Sequence, residues 1–365
     1  SLPIFLNEYL LKSFLRVIRT GLLPLPTWLF VNNELVYSVW RDQGEFLTEK
    51  PINLKAGREY DIKLDFYQGG GNSVVRFSYG PDPRGEGKEA VAMAQKSDIA
   101  VVCLGFNALS EKEGTDRPYG LSVRQKNFLT AVKAKNPNTI VVLFGGGNAD
   151  IDAWLNNARA LIHAWYPGQE GGQALAEILF GLVNPSGKLP ISIEKRWEDS
   201  PAYKSYYDDD EDRHVQYSEG VFVGYRHFDT ENVAPLFPFG YGLSYTTYAY
   251  SNMRLSKTEV TGTELLEISV DVTNTGKVNG SEVVQLYVHD MEASLPRPDK
   301  ELKAFAKVEL KAGETKSVKL TLDKSAFSFF DPQKGRWVAE AGQFELRVGS
   351  SSGDIRLKKL VDYRE

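Results

Sequence analysis

Hydrophobic and polar positions change rhythm twice along the chain. Over residues 28–80 the apolar residues alternate with polar ones or gather in short runs. WLFVNNELVYSVW sets an Asn-Asn pair between two runs, and YDIKLDFYQGGGNSVVRFSYG sets a glycine-rich turn between two more. Period-two patterning broken by turn residues predicts a small all-β piece. From 85 to about 200, helix-like and strand-like stretches alternate. GKEAVAMAQKS, LSVRQKNFLTAVKAKNPN, DIDAWLNNA and EGGQALAEILFGLVNPSG read as helices; DIAVVCLGF, TIVVLFGGG and RALIHAWYPG read as strands. These strands are nearly apolar throughout, so the pattern predicts a mainly parallel sheet flanked by helices on both faces. Beyond about 247 the helical period vanishes. LLEISVDVTNTG, SEVVQLYVHD, KSVKLTLD and QFELRVGSS, spaced by turn residues, predict an antiparallel β-sandwich. The chain thus reads as multidomain α/β plus all-β, divided at 1–80, 81–246 and 247–365. No 20–50-residue repeat runs through it.

Composition narrows the function. With 365 residues, 42% hydrophobic and 25% charged, the chain is long enough for two or three cores. A formal net charge of −5 without a basic block argues against nucleic acid held through its phosphates. Residues 1–31 are apolar but are interrupted by Glu8, Lys12, Arg16 and Arg19, so they fail as a spanning helix. Without a basic start they also make a poor signal peptide. No membrane partner is expected, and the compartment stays unassigned. Cys103, the single cysteine, falls inside the apolar strand run and is expected to be a small core residue. His163, His214, His227 and His289 have no ligand spacing, so no metal is implied. FGGGNADIDAW matches neither dinucleotide nor P-loop fingerprints and reads as a tight turn; no GxSxG elbow is present. No cofactor follows. DDDEDR at 208–213 reads as a solvated loop.

One acidic stretch is left. LSEKEGTDR, residues 109–117, leaves the carboxyl end of the strand DIAVVCLGF, the edge where open α/β sheets bind ligands. Glu111 and Glu113 there are candidates for acid/base work, or for plain solvation or an ion pair with Arg117. Two aromatic segments, QYSEGVFVGYRHF at 216–228 and PLFPFGYGLSYT at 235–246, have faces suited to sugar rings. Core and interdomain packing is the simpler account of them.

Taken in order, GFNALSEKEGTDR, HAWYPGQEGGQALAEILFGLVNPSGKLPIS, YSEGVFVGYRHFD and PLFPFGYGLSYTTYAYSNMRL resemble the second domain of glycoside hydrolase family 3, the β-glucosidase and β-xylosidase group. RPDKELKAFAKVELKAGETKSVKLTL, FSFFD and WVAEAGQFELRVGSSSGDIR are similar to the fibronectin-type-III-like domain that ends many of these enzymes. The resemblance runs from about 85 to the C-terminus, while the stretch from FVNNELVYSVW to NSVVRFSYG, ending at Gly80, resembles the end of a PA14 module. Residues 1–27 do not match that module's start.

The resemblance implies an α/β sandwich followed by a fibronectin III-like sandwich, with a partial PA14-like segment at the N-terminus. It also implies a retaining, exo-acting β-glycosidase acting on an oligosaccharide or glycoside. Retaining enzymes set two carboxyl groups about 5–5.5 Å apart, one a nucleophile and one an acid/base. In the family the nucleophilic aspartate lies on a (β/α)8 barrel and the acid/base glutamate comes from a loop like LSEKEGTDR. By its spacing from Gly105 the acid/base is assigned to Glu111, with Glu113 the alternative, and Asp116 and Arg117 are expected to fix the loop as an ion pair. A barrel needs about 250 residues and none is legible here, so the nucleophile is expected on another chain. The alternative is a non-catalytic carbohydrate-binding or structural module.

Overall fold

The computed structural model describes residues 2–4, 13–20, 27–39, 46–52, 60–66, 74–81, 83–108, 110–114, 116–207 and 214–365. They form two compact units, one of residues 1–145 with 154–163, the other of 146–153 with 164–365. DDDEDR therefore lies outside the described residues.

The first unit opens with β1 (Leu2–Ile4), β2 (Ser13–Thr20), β3 (Thr27–Val31), β4 (Glu34–Val39), β5 (Phe46–Ile52), β6 (Tyr60–Phe66) and β7 (Val74–Pro81). These make two small antiparallel sheets, ordered β1-β6-β3-β4 and β5-β2-β7. The Asn-Asn pair turns β3 into β4 as the pattern predicts: Asn32 and Asn33 have φ of 49° and 65°, the left-handed conformation a tight hairpin requires. β6 and β7 both form, but they pair in different sheets. The glycine-rich residues 67–73 between them lie outside the described residues.

Next come α1 (Pro83–Gln95), β8 (Ala100–Gly105), α2 (Val123–Lys135), β9 (Thr139–Phe144) and β10 (Ala160–His163). The three strands form a parallel sheet ordered β10-β9-β8. Val102, Leu104, Val141, Val142 and Leu143 are buried in it. α2 starts where Ser122 accepts a hydrogen bond from the Gln125 amide (3.2 Å), and it ends with Lys133 and Lys135 in the last turn, where the helix dipole favours cations. Beyond its end, buried Asn136 donates to the carbonyls of Ala94 (3.0 Å) and Ser97 (2.8 Å), which ties the end of α1 to the end of α2.

Two sequence expectations fail here. DIDAWLNNA forms no α-helix, only a 3-10 turn at Leu155–Asn157. Asp150 takes a φ of 51°, off the helical path, just where the helix would have to start. Cys103 is exposed instead of buried. Among the described residues β8 pairs with β9 alone, and its two faces differ: Val101 (47% exposed) and Cys103 share an uncovered face, while Val102 and Leu104 on the other are buried.

The second unit holds α3 (Gly171–Leu179), α4 (Tyr225–Thr230) and ten strands: β11 (Tyr248–Leu255), β12 (Glu259–Thr261), β13 (Leu266–Asn274), β14 (Gly280–Asp290), β15 (Glu301–Leu310), β16 (Thr315–Leu322), β17 (Ser328–Asp331), β18 (Arg336–Ala339), β19 (Gly342–Ser351) and β20 (Asp354–Arg364). Their sheets run β11-β13-β16 and β12-β20-β19-β14-β15, with β17-β18 a separate hairpin. Period-two patterning works as expected. Along β13, Leu266, Ile268, Val270 and Val272 are fully buried, and they join Leu286, Leu346 and Val348 in one core. Between 260 and 350 the helical structure of the described residues is limited to a 3-10 turn, Lys324–Phe327.

Two polar clusters lock this unit. Asn274, wholly buried, donates to the carbonyls of Val278 (2.8 Å) and Leu310 (3.2 Å) and accepts from the Thr246 hydroxyl and the Gly276 amide. Lys300, 6% exposed, sets its ammonium 2.7 Å from Asp229 on α4 and 3.5 Å from Asp299. Burial, only partly offset by Lys300, holds the Asp229 carboxyl above its ordinary range.

Candidate active site

The acidic loop is positioned by β8. Its last residue, Gly105, has a φ of 142°, and a Cβ there would fall 1.8 Å from the Phe144 carbonyl oxygen, so only glycine turns the strand out beside β9. Phe106 follows, its amide donating to the Phe144 carbonyl (2.9 Å). A turn then closes: the Ser110 and Glu111 amides donate to the Asn107 carbonyl (2.9 and 2.8 Å), and the Ser110 hydroxyl accepts from the Asn107 amide (3.0 Å). This turn fixes where Glu111 leaves the backbone.

Arg117 folds back onto it. Its Nε donates to Glu111 Oε1 at 2.8 Å, with the Arg117 and Glu111 side chains 15% and 22% exposed. The same guanidinium donates to the carbonyls of Pro118 (3.0 Å) and Tyr119 (3.2 Å) and stacks 4.0 Å above the Phe106 ring. Gly145 makes room beneath: a Cβ there would come within 3.1 Å of that ring. Glu113 and Asp116 are exposed, and Glu113 makes no hydrogen bond or ion pair with any described residue. The arrangement therefore brings Glu111 and Arg117 together and presents Glu113 to solvent. The return of Arg117 over an aromatic ring, six residues on, left no signal in the sequence beyond the residue types themselves.

The aromatic segments serve packing in large part. Tyr225 stacks on Phe239 (4.9 Å between centroids), meets Tyr287 edge-on (5.9 Å), and accepts a hydrogen bond from the Leu302 amide (2.8 Å). Phe237 stacks on Tyr241 (5.2 Å) and bridges to Ile193. Gln285 donates to the carbonyls of Gly240 and Ser350, and Ser352 donates to that of Phe239. Tyr217, 82% exposed, stands outside this packing.

Comparison with known proteins places these features. Residues 31–245, more than half of the chain, match the profile of the glycosyl hydrolase family 3 C-terminal domain, and residues 282–352 match a fibronectin type III-like domain. The chain belongs to glycoside hydrolase family 3. Among family 3 relatives, a β-glucosidase from Rhizobium radiobacter is 41% identical over 348 residues, covering 90% of this chain and 42% of its own length. An exo-α-(1→6)-L-arabinopyranosidase from Bifidobacterium breve is also 41% identical, over 73% of this chain and 35% of its own. The crystal structure of a Kluyveromyces marxianus β-glucosidase in complex with glucose superposes with a TM-score of 0.87 at 35% identity, over all of this chain and 44% of that one. The chain thus spans less than half the length of the family 3 proteins it matches.

Proposed function

We propose that this chain is the C-terminal part of a retaining, exo-acting β-glycosidase, a β-glucosidase, and that it supplies the general acid/base while the nucleophilic aspartate stands on a (β/α)8 barrel outside these residues. The PA14-like segment, the α/β sandwich and the fibronectin-like sandwich are the three domains of this part, divided near 80 and 246. The names of the relatives favour glucose over xylose. The arabinopyranosidase, equally similar, cautions that the sugar is chosen largely outside the matched residues.

One observation carries the assignment of roles: Glu111 is engaged by Arg117 at 2.8 Å and Glu113 is not. A general acid must hold a proton when substrate arrives, and a guanidinium at hydrogen-bond distance favours the ionised carboxylate. On this reading Glu113, the alternative, is taken as the acid/base in preference to Glu111, which with Arg117 anchors the loop. Asp116 supports the loop from its exposed end. In the enzyme assembled with its barrel, Glu113→Ala should slow substrates with poor leaving groups by about 10²–10⁴. Activated aryl glycosides should suffer less, and azide should restore turnover as a nucleophile that needs no base. Glu111→Ala should show neither effect. Azide rescue of Glu111→Ala instead would return the role to that residue, and full activity of both variants would leave a non-catalytic, carbohydrate-binding module.

A further inference from the structure

The hairpin of β17 and β18 holds its two largest rings in water. Phe329 turns inward, 8% exposed, with the Arg297 guanidinium 5.2 Å from its ring centroid. Phe330 and Trp337, opposite each other in register, turn outward and are 51% and 68% exposed. Adjacent strand residues face opposite sides, so a hairpin that buries Phe329 must expose Phe330; nothing in the pleat asks for an indole across from it. The two rings meet edge to face, 6.0 Å between centroids and 75° between planes, so each holds the other in one orientation.

The turn that joins the two strands is stiff. The Asp331 carboxylate accepts from the Gln333 (2.9 Å) and Lys334 (3.2 Å) amides and pairs with the Lys334 ammonium at 2.9 Å, and the Gly335 amide donates to the Asp331 carbonyl (2.8 Å). A ring pair fixed in this way takes a ligand without first losing freedom of its own. A cavity of about 580 Å³ adjoins the hairpin, lined by Lys334 and Val338 from it and by Glu292, Ser294, Glu340 and Glu365. Val338 follows Trp337 in the chain, so the indole stands one residue from the cavity's lining. Ser294 donates to Glu340 from its amide (3.1 Å) and its hydroxyl (2.5 Å), which fixes one wall.

We propose that Phe330 and Trp337 form a saccharide-binding platform on the fibronectin-like sandwich, where a pyranose ring of a neutral oligosaccharide stacks with polar groups for its hydroxyls alongside. A pyranose has a face of C–H groups and a rim of hydroxyls. It complements an exposed aromatic ring flanked by carboxylate acceptors and an ammonium donor. Charge decides against an anionic ligand such as a nucleic acid or a phospholipid headgroup, because Glu292, Glu340 and Glu365 outnumber Lys334 in the adjoining cavity. Size decides against a protein: two rings amid exposed Gln333, Lys334 and Arg336 fall far short of the roughly 800 Å² that a stable interface buries on each partner. That the saccharide is this glycosidase's own oligosaccharide substrate rests on the reading above; the platform does not.

Titration calorimetry of the 365-residue chain with cellopentaose and with laminaripentaose tests this. At least one of the two should bind, weakly, and heparin should not. Trp337→Ala, at an exposed position, should leave the Tm unchanged and weaken binding by at least about tenfold. Trp337→Tyr, which keeps a stacking face, should retain most of the affinity, and Phe330→Ala should lower it to a smaller extent. In the wild-type chain the indole Nε1–H signal of Trp337 should shift as saccharide is added, a readout that needs no variant. The proposal is overturned if neither pentasaccharide binds at millimolar concentration, if Trp337→Ala binds as wild type does, or if the Trp337 signal stays still at saturation. It is also overturned if heparin binds in place of the neutral sugars, or if the chain is a dimer that Trp337→Ala dissociates. None of these readouts is hydrolysis: saccharide bound through Trp337 while the barrel-assembled enzyme cleaves no glycoside sinks the glycosidase reading and keeps the platform, and an active enzyme whose Trp337 signal never moves does the reverse.

Discussion

Replacing Lys300 by methionine tests how the second unit tolerates its buried charge. Lys300 is 6% exposed and its ammonium lies 2.7 Å from Asp229, whose side chain is 20% exposed. Methionine keeps most of the volume and removes the charge, leaving Asp229 in a site that already disfavours its ionised form. Breaking a buried pair from one side costs about 3–5 kcal/mol; with Asp229 partly solvated, the lower end, about 3 kcal/mol, is expected near neutral pH. The sign with pH follows from burial. A carboxyl whose folded pKa is raised contributes stability that is present below its unfolded pKa and lost as pH rises through the folded one. Without Lys300 that pKa rises further, so the gap between wild type and Lys300→Met should shrink on acidification, by at most about 1.4 kcal/mol per pH unit. Urea unfolding of both proteins from pH 8 to pH 5 measures this, and Lys300→Met with Asp229→Asn should recover much of the loss at pH 8. A gap that stays constant or widens toward pH 5, or a double variant no better than the single, would refute the reasoning.

Two further substitutions probe other supports. Gly105→Ala should lower stability by about 3 kcal/mol or more, or prevent folding, because its Cβ meets the Phe144 carbonyl and its φ suits glycine alone; a thermal melt within a degree or two of wild type would contradict this. Asn274→Ala leaves the Val278 and Leu310 carbonyls without their donor and should cost about 2–4 kcal/mol in urea unfolding; a change below half a unit would mean water replaces the amide.

Local pattern carried most of the fold. The β13 alternation is legible because one face is wholly buried, and the Asn-Asn turn because two adjacent left-handed residues are a local event. Pairing was less readable. Nothing in YDIKLDFYQGGGNSVVRFSYG tells that its two strands join different sheets, since pairing partners are distant in sequence. DIDAWLNNA has helical composition but a left-handed Asp150 at its start, a backbone requirement that side-chain periodicity does not encode. Cys103 looked like core because its strand is apolar on both faces, and apolarity alone does not tell which face is covered. At the site, the two carboxylates were visible as residue types. The proposal that separates them rests on the fold of Arg117 over Phe106 and onto Glu111, a contact set by loop conformation.

The clasp between Gln125 and Gly105 has a mechanical meaning. A side-chain amide occupying both polar groups of the last strand residue works as a stop, since any chain zippering along β8 finds its final rung already taken. Strain along the outer edge of β8 should end at that rung and not pass into residues 106–117. The strand and the loop that follows it can then vary separately over evolution, one changing without disturbing the other.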